Sequence, residues 1–290
     1  MTSDAHTLTT DRVHRLVDDV GRLLVDALPG DAARLGVAYS GGVDSATLAA
    51  AAVAALGADR VVAILGVSAS LAARERRLAH RTAERIGVRV VEVVTHEQED
   101  PHYLVNGVDR CYYCKTELFT RIDDDLAAGL GLSAIAYGEN SSDAVRPDRP
   151  GSRAATEHRV LRPLAEVGAT KQDVRAMARV LGVDVADKPA APCLASRIPH
   201  GEPVTLEKLR AIDLAEDAVL AAGFSDCRVR HHGEVARIEI PADELARMLD
   251  DAVRARILDG VRDAGFRFVT IDLAGIQSGA FTLPLLAVRG

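Results

Sequence analysis

The sequence predicts an α/β protein with a doubly wound parallel sheet, followed by a smaller C-terminal α+β domain. Short apolar runs alternate with amphipathic segments up to about residue 185, which is typical of strands joined by crossover helices. The stretch DKPAAPCLASRIPHGEP then carries four of the eleven prolines and predicts an extended linker. After it the order changes to helix, two strands, helix and strand. We therefore expect one domain over residues 1–190 and a second over residues 200–290.

Apolar spacing predicts the elements of the first domain. Val and Leu recur with helical spacing between Thr9 and Leu28. Four apolar runs, LGVAY, RVVAILGVS, VRVVEVV and SAIAYGE, predict buried parallel strands. The polar residues 141–158 predict an irregular loop over a site. Helices are predicted from Ala46 to about Leu56 and over LAARERRLAHRTAERIG, TELFTRIDDDLAAGLG and TKQDVRAMARVLG, the last with Thr170 as its N-cap.

The second domain is predicted from shorter segments. A helix over Leu206–Ala222 leads into two alternating strands, DCRVRHH and VARIEI. A helix over Asp243–Ala264 and a final strand, FRFVTIDL, follow. This order predicts a small α+β domain.

Composition argues against several classes of protein. The net charge of −7 and the 3% aromatic content argue against nucleic-acid binding by charge or stacking. No apolar run reaches the roughly 18 residues of a membrane span, and the N-terminus lacks the features of a signal peptide. Four cysteines in 290 residues do not form a secreted disulfide scaffold. We expect a soluble cytoplasmic protein with reduced thiols and no membrane partner.

The motif SGGVDS follows the first predicted strand and opens a helix. Glycines let backbone N–H groups approach an anion closely, and the helix N-terminus adds partial positive charge. The serines offer hydroxyl donors, and the Asp can hold Mg²⁺ shared with phosphate. An ordinary glycine turn is the alternative, and the motif is not the GxxxxGK[ST] loop. The motif predicts phosphate and Mg²⁺ binding by Ser40, Gly41, Gly42, Val43, Asp44 and Ser45. It also resembles the pyrophosphate-binding loop of the N-type ATP pyrophosphatases, which form adenylates, and this resemblance implies that the phosphate belongs to ATP.

Polar residues also follow the fourth predicted strand, in YGENSSDA. The carboxyl edge of a parallel sheet is where α/β sites lie, so Glu139, Asn140 and Asp143 can contact ATP, Mg²⁺ or substrate. Lys171 stands at a predicted helix start and can reach a phosphate. A solvated helix lysine is the alternative.

Cys111 and Cys114 form a CxxC pair. The pair can be a redox dithiol, half of a metal site or two incidental thiols, and the thioredoxin pattern that a redox role needs is missing. Cys193 lies in the linker, which can cross the crevice at the carboxyl edge of the sheet. Arg197, four residues on, can favour a thiolate at Cys193. A thiolate beside an adenylated carboxylate is a suitable nucleophile.

Zinc is a rival for the thiols, because Cys227 and His231 have C-x₃-H spacing. The two pairs are more than a hundred residues apart, however, and Cys227 lies on an apolar strand, where a small buried hydrophobe explains it better.

Arg228 and Arg230 share one face of a predicted strand with His232. Two arginines on one face suit a nucleotide phosphate and carboxylates. A solvated strand face in an arginine-rich chain is the alternative. Glu239, on the following strand, can orient these arginines.

Five segments together resemble one family: SGGVDS, NGVDRCYYCK, YGEN, RPLAEVGATKQDVR and PCLASRIPHG. The chain, from about Leu16 to Leu273, resembles the LarE family of ATP-dependent sulfur transferases, which are PP-loop ATP pyrophosphatases of nickel-pincer nucleotide biosynthesis for lactate racemase. The resemblance implies that ATP adenylates a carboxylate of pyridinium-3,5-biscarboxylic acid mononucleotide. Sulfur then replaces the activated oxygen, giving a thiocarboxylate. It also implies adenine contacts at Val67, Ser68 and Ala69, and a homo-oligomer such as a hexamer.

Two sulfur sources are associated with this family. In one, the cysteine matching Cys193 gives up its own sulfur. In the other, three cysteines hold a 4Fe-4S cluster whose fourth iron carries sulfide from an external source. This chain has Cys111 and Cys114 besides Cys193, so the resemblance favours the cluster. Related members often carry two acids after the Asn of YGEN, and this chain keeps only Asp143.

Three other functions stay open. Cys193 can be a sacrificial donor without a cluster. The chain can also be a tRNA thiolase or an ammonia-using adenylating ligase, although the scarcity of aromatics and the PCLASRIPHG motif count against these. A nucleotide-sensing or metal-storage protein without chemistry is the alternative of another class.

Overall fold

The structure, a computed structural model, describes residues 10–144 and 151–277. The chain divides into two compact units and passes between them several times. Among the described residues, the first unit contains 10–68, 74–96, 111–144 and 151–191, and the second contains 69–73, 97–110 and 192–277. No sequence pattern indicated that residues 69–73 and 97–110 join the second unit. The predicted domain ranges, 1–190 and 200–290, stay a prediction.

The elements are numbered in chain order over the described residues. The helices are α1 (Thr10–Asp26), α2 (Val43–Leu56), α3 (Ala73–Ile86), α4 (Pro101–Leu104), α5 (Arg110–Arg121), α6 (Ala127–Leu130), α7 (Ser141–Ala144), α8 (Gly151–Glu157), α9 (Pro163–Glu166), α10 (Lys171–Val180), α11 (Leu206–Ala221) and α12 (Asp251–Asp263). The strands are β1 (Arg34–Ala38), β2 (Val61–Val67), β3 (Arg89–Val94), β4 (Leu132–Tyr137), β5 (Arg228–His232), β6 (Val235–Glu239) and β7 (Phe268–Ile271).

The first unit is built on a parallel sheet with the strand order β3-β2-β1-β4. β1 lies inside it, where Val37 pairs with Ala63 of β2 and with Ala136 of β4. Because all three ladders are parallel, the carboxyl ends of the strands share one edge, and the loops that follow them meet there. The predicted parallel α/β sheet is confirmed.

Two helices give this edge a rigid base. α1 turns one apolar face inward, and its Val20 and Leu24 are fully buried. α2 is alanine-rich and buried on nearly all sides. Small residues let the two helices approach closely, since a Cβ added at Gly21 would lie 3.1 Å from Ala55 Cβ. Burying each leucine contributes roughly 1.5–3 kcal/mol, so the helix that follows the SGGVDS motif is firmly held.

The second unit contains a mixed sheet with the strand order β5-β6-β7. β5 pairs with β6 antiparallel, and β6 pairs with β7 parallel. Its core is a separate apolar cluster that includes Val219, Phe224, Val229, Ile238, Val261 and Phe266. The predicted small α+β unit is confirmed.

The structure differs from the sequence prediction in two segments. Residues 141–158 were expected to form an irregular loop, but α7 and α8 lie there, while residues 145–150 are outside the described residues. α8 forms because Ala154 and Ala155 pack, fully buried, into the core beside Phe119. The expected helix over Asp243–Ala264 is instead a 3-10 helix, Ala242–Leu249, followed by α12.

The break in this second segment comes from a helix cap. The Asp250 side chain accepts a hydrogen bond from Val253 N at 2.9 Å and so starts α12 afresh. Elsewhere, the predicted N-cap at Thr170 is confirmed, with a capping box to Asp173. No helix in the described part of the chain is long and apolar enough to cross a membrane.

Candidate functional site

The phosphate loop, Ser40–Ser45, follows β1 and leads directly into α2. Its two serines hold it together: Ser45 Oγ accepts a hydrogen bond from Ser40 N and lies against Ser40 Oγ, both at 3.1 Å. Ser45 Oγ also donates to Gly42 O at 3.1 Å, and Ala46 N donates to the same oxygen at 2.9 Å. The backbone N–H groups that begin α2 are therefore available to an anion in the loop.

Gly41 of the phosphate loop is required by space as well as by conformation. Gly41 has a φ of +70°, and an added Cβ would lie 2.6 Å from Ala79 Cβ. Gly138, just after β4, is equally tight, since a Cβ there would lie 2.8 Å from Ser45 N. The loop keeps its shape because neighbouring backbone leaves no room for side chains.

Asp44 gathers polar side chains at the carboxyl edge of the sheet. Lys171 Nζ forms an ion pair with Asp44 Oδ2. Asn140 Nδ2 donates to Asp44 Oδ1 at 3.2 Å and to Asp143 Oδ2 at 2.9 Å. The structure thus brings Lys171, Asn140 and Asp143 to the phosphate loop. Carboxylate oxygens suited to Mg²⁺ lie here beside a cation suited to phosphate.

Glu139 adds a buried carboxylate near the same edge. It is 3% exposed, and it accepts a hydrogen bond from Ser152 Oγ on one oxygen. The other oxygen, Oε2, is 3.6 Å from Arg162 Nη1 and has no hydrogen-bond partner among residues 10–144 and 151–277. A buried oxygen of this kind can accept a hydrogen bond from a ligand.

The CxxC pair lies at the start of α5. Cys111 is exposed and Cys114 is half-buried. Their spacing in a helix puts both thiols on one face. The next residue, Lys115, contacts Tyr137 Oη and lies over the Tyr137 ring, 3.8 Å from its centroid. The sequence showed Lys115 only as a flanking residue, because its aromatic partner lies on a strand that comes later in the chain.

Cys193 lies in the second unit, directly before the 3-10 turn Leu194–Arg197. Its side chain is exposed, whereas Arg197 is 1% exposed. Arg197 Nε and Nη2 donate to the two carboxylate oxygens of Glu216 at 2.8 and 3.1 Å. Arg197 is therefore a paired cation of the core, and its predicted action on the Cys193 thiol stays a prediction.

Arg228 and Arg230 are also buried, with 6% and 4% of their surface exposed, so the alternative of a solvated strand face is wrong. Arg230 Nε and Nη2 donate to the carboxylate of Glu239 at 2.9 and 2.8 Å, which confirms that Glu239 orients this arginine. Arg228 Nη1 donates to Asp226 Oδ1 at 2.7 Å. Substrate binding by either arginine stays a prediction. A bound substrate would accept hydrogen bonds from guanidinium groups that already donate to protein carboxylates.

Sequence reasoning missed Glu216. Its side chain is fully buried in α11, where it also accepts a hydrogen bond from Val229 N at 2.9 Å. Its position in the helix could have revealed its burial, because Glu216 falls on the apolar stripe formed by Leu209, Ile212 and Val219. A carboxylate on such a stripe needs a buried partner.

Ser68, Cys227 and His231 are the other residues that the sequence analysis singled out. Ser68 follows β2 at the carboxyl edge of the parallel sheet and is half-buried, and its contact with adenine stays a prediction. Cys227 is 1% exposed within the core of the second unit, as expected for a small hydrophobe. His231 has no hydrogen-bond partner at Nδ1 in the described part of the chain.

An iron–sulfur cluster would need thiolate ligands from this chain. None of the four cysteines, all of them described, forms a disulfide. Thiolates are the usual ligands of such clusters, and two of them share a helix face. Cys111 and Cys114 belong to the first unit and Cys193 to the second. Within residues 10–144 and 151–277, no three His, Cys, Asp or Glu side chains are grouped so that they could hold a metal ion.

A glycine-containing loop that can bind an anion, placed between a parallel strand and a helix, is typical of nucleotide-binding α/β proteins. No family model matches the chain. It is 40% identical to an uncharacterized protein of Synechocystis sp. over 86% of its length, covering 92% of that protein. It is 34% identical to the pyridinium-3,5-bisthiocarboxylic acid mononucleotide synthase of Lactiplantibacillus plantarum over 88% of its length, covering 91% of the synthase. The chain therefore belongs to the family of this synthase, which confirms the LarE-type resemblance.

Proposed function

We propose that this protein is an ATP-dependent sulfur transferase. It adenylates a carboxylate of pyridinium-3,5-biscarboxylic acid mononucleotide and converts it to a thiocarboxylate. The observation that carries the proposal is the anion-binding loop at the carboxyl edge of the sheet, in a chain 34% identical to a synthase named for the bisthiocarboxylic product.

The phosphate loop and its neighbours bind ATP in this proposal. Backbone N–H groups at the start of α2 would bind the phosphates, and Asp44 would hold Mg²⁺, which would neutralise phosphate charge. Lys171, which forms an ion pair with Asp44, would then move its ammonium group from the carboxylate to a phosphate oxygen. Every charge would stay paired, because Asp44 would bind the metal ion in place of the lysine.

Two substitutions make up the reaction. A carboxylate oxygen of the substrate attacks the α-phosphorus of ATP, the bond to the bridging oxygen breaks, and pyrophosphate leaves. A sulfur nucleophile then attacks the acyl carbon, and AMP leaves with the electron pair of the carbon–oxygen bond. AMP is a far better leaving group than oxide, and the backbone donors of the phosphate loop stabilise the departing pyrophosphate.

We propose that Cys111, Cys114 and Cys193 hold a 4Fe-4S cluster. Such a cluster would supply sulfide from an external source, so that the protein could serve more than one turnover. The one-turn spacing of Cys111 and Cys114 in α5 and the exposure of Cys193 support this ligand set. In the same proposal, Arg228 and Arg230 take the negative charges of the substrate.

The activity test uses anaerobically purified protein with ATP, Mg²⁺, sulfide and the biscarboxylic mononucleotide. We expect AMP, pyrophosphate and thiocarboxylate in equal amounts by chromatography and mass spectrometry. The Asp44→Asn variant, which removes the metal-binding charge, should release little pyrophosphate. ATP binding without pyrophosphate release in the wild type would contradict the proposal and favour a nucleotide-binding protein without chemistry.

A sacrificial cysteine is the second candidate for the sulfur source, and the exposure of Cys193 favours it. The Cys193 sulfur would attack the acyl carbon and expel AMP. Loss of the Cα proton and cleavage of the Cβ–S bond would then leave dehydroalanine in the protein and sulfur on the product. Protein that loses the mass of H₂S after one turnover would establish this route. About four iron atoms per chain, lost in Cys111→Ala, would favour the cluster.

A further inference from the structure

The backbone carbonyls of the cysteine turn, residues 192–197, accept hydrogen bonds from three buried arginines of the second unit. Arg197 Nη1 donates to the carbonyl oxygens of residues 192 and 193 at 2.6 and 3.3 Å. Arg110 Nη1 donates to Ala195 O at 2.9 Å, and Arg230 Nη1 donates to Ser196 O at 3.0 Å. The three arginines are between 1% and 6% exposed. Four of the five carbonyl groups from residue 192 to residue 196 thus accept a guanidinium N–H.

Asn106 makes similar hydrogen bonds to the backbone that follows the turn. It is fully buried and has a φ of +58°. Its Oδ1 accepts a hydrogen bond from Arg110 Nη1. Its Nδ2 donates to Ile198 O, Pro199 O and Glu202 O at 3.2, 2.8 and 3.1 Å. One buried pair, Asn106 and Arg110, therefore contacts the linker on both sides of residue 197.

These bonds constrain the backbone directly. A guanidinium that is nine-tenths buried has lost most of its water, so its N–H groups need protein acceptors. Backbone carbonyls have no side-chain torsions, and a bond to one fixes the path of the chain. The exposed thiol of Cys193 can then move only through its own χ1 rotation.

We propose that Arg110 is a positioning residue for Cys193, acting with Asn106 to hold the cysteine turn in one conformation. The proposal rests on the proposed function, in which Cys193 holds or delivers sulfur. Arg110 acts through the backbone of the turn and does not react.

The test compares full-length Arg110→Gln and Arg110→Lys with the wild type by hydrogen–deuterium exchange. Three backbone amides within residues 192–198, those of Leu194, Ser196 and Ile198, donate hydrogen bonds at 2.9–3.2 Å. Peptides covering residues 192–198 should exchange roughly tenfold to a hundredfold faster in Arg110→Gln, because a charged hydrogen-bond donor is lost. Arg110→Lys should lie between that variant and the wild type. Peptides covering β5 and β6 should keep their rates.

Kinetics supply a readout that a general loss of stability would not give. The kcat for thiocarboxylate formation should fall about tenfold to a hundredfold in Arg110→Gln. The KM for ATP should stay unchanged, because the phosphate loop belongs to the first unit. Arg247→Lys is the control for Arg110→Lys, since Arg247, whose side chain is 41% exposed, also donates to two carbonyl oxygens of the second unit, those of Gly223 and Ala222, at 2.7 and 3.3 Å.

Wild-type exchange over residues 192–198 in Arg110→Gln would overturn the proposal, and so would equal acceleration of the turn in Arg247→Lys. If Arg110→Gln does not fold, the same criteria apply to Arg110→Lys. A wild-type protein that forms no thiocarboxylate would contradict the proposed function instead. The exchange measurement alone then decides whether Arg110 holds the turn.

Discussion

The phosphate loop and the cysteine turn are shaped by different means. The loop is held by its own serines, by Gly41 packed against Ala79, and by Gly138 packed against the backbone of Ser45. The turn is held by buried guanidinium groups, two of them from residues 34 and 85 positions away in the chain. The first arrangement is local and tolerates almost no added atom. The second depends on charges in the core, and it fails when one partner of a pair is removed.

The largest effect on stability is expected at Glu216, the buried carboxylate that pairs with Arg197 of the cysteine turn. Glu216→Ala leaves Arg197 buried without its carboxylate, which should lower the free energy of unfolding by about 3–5 kcal/mol. Urea denaturation monitored by circular dichroism would measure it. The double variant Arg197→Met with Glu216→Leu is the control and should recover most of the loss, because no charge stays buried. A loss below about 1 kcal/mol in Glu216→Ala, as for a surface pair, would contradict this account.

Gly41→Ala tests the opposite kind of constraint. The methyl group would meet Ala79 at 2.6 Å, and the residue would keep a φ of +70°. The loop must therefore shift, and we expect ATP to bind at least about tenfold more weakly, or about 1.4 kcal/mol, by isothermal titration calorimetry. Gly57→Ala is the matched control, since Gly57 has a φ of +86° but nothing within 4 Å of an added Cβ. Unchanged ATP binding in Gly41→Ala would refute the steric argument.

The same contrast explains what the sequence could predict. SGGVDS and the apolar strand before it are contiguous, and their meaning depends on backbone geometry, so the parallel sheet and the loop were predictable. The association of residues 97–110 with the second unit depends on contacts such as that of Arg110 with Ala195. Contacts of this kind produce no hydrophobic periodicity in the sequence, so they could not be predicted. Residues 141–158 look polar in sequence, yet α8 forms there and buries Gly151, Ala154 and Ala155.

Lys171→Met should weaken ATP binding at the phosphate loop by a factor similar to that of Gly41→Ala. The variant removes the ammonium group paired with Asp44, and ATP should bind about 5- to 30-fold more weakly at saturating Mg²⁺, because one charged phosphate contact is lost. Lys188→Met is the matched control. It breaks a comparably buried pair with Glu75 in the same unit and should leave ATP binding unchanged. Equal effects of the two substitutions on ATP affinity would mean that Lys171 only stabilises the fold.

The smallest expected effect is a pH dependence of the second unit. Burial, followed by the charge of Lys208, lowers the pKa of His231, which is 9% exposed and packs its ring 5.2 Å from that of Phe266. The folded protein therefore binds fewer protons than the unfolded chain. The contribution of His231 is fully present above the unfolded pKa of about 6.5 and is lost as pH falls through the lower folded value. Thermal unfolding between pH 7.5 and 5.5 should show a falling Tm, and His231→Phe should reduce the slope. An unchanged slope would assign the effect to His232, whose pKa is also lowered by burial and by Arg237.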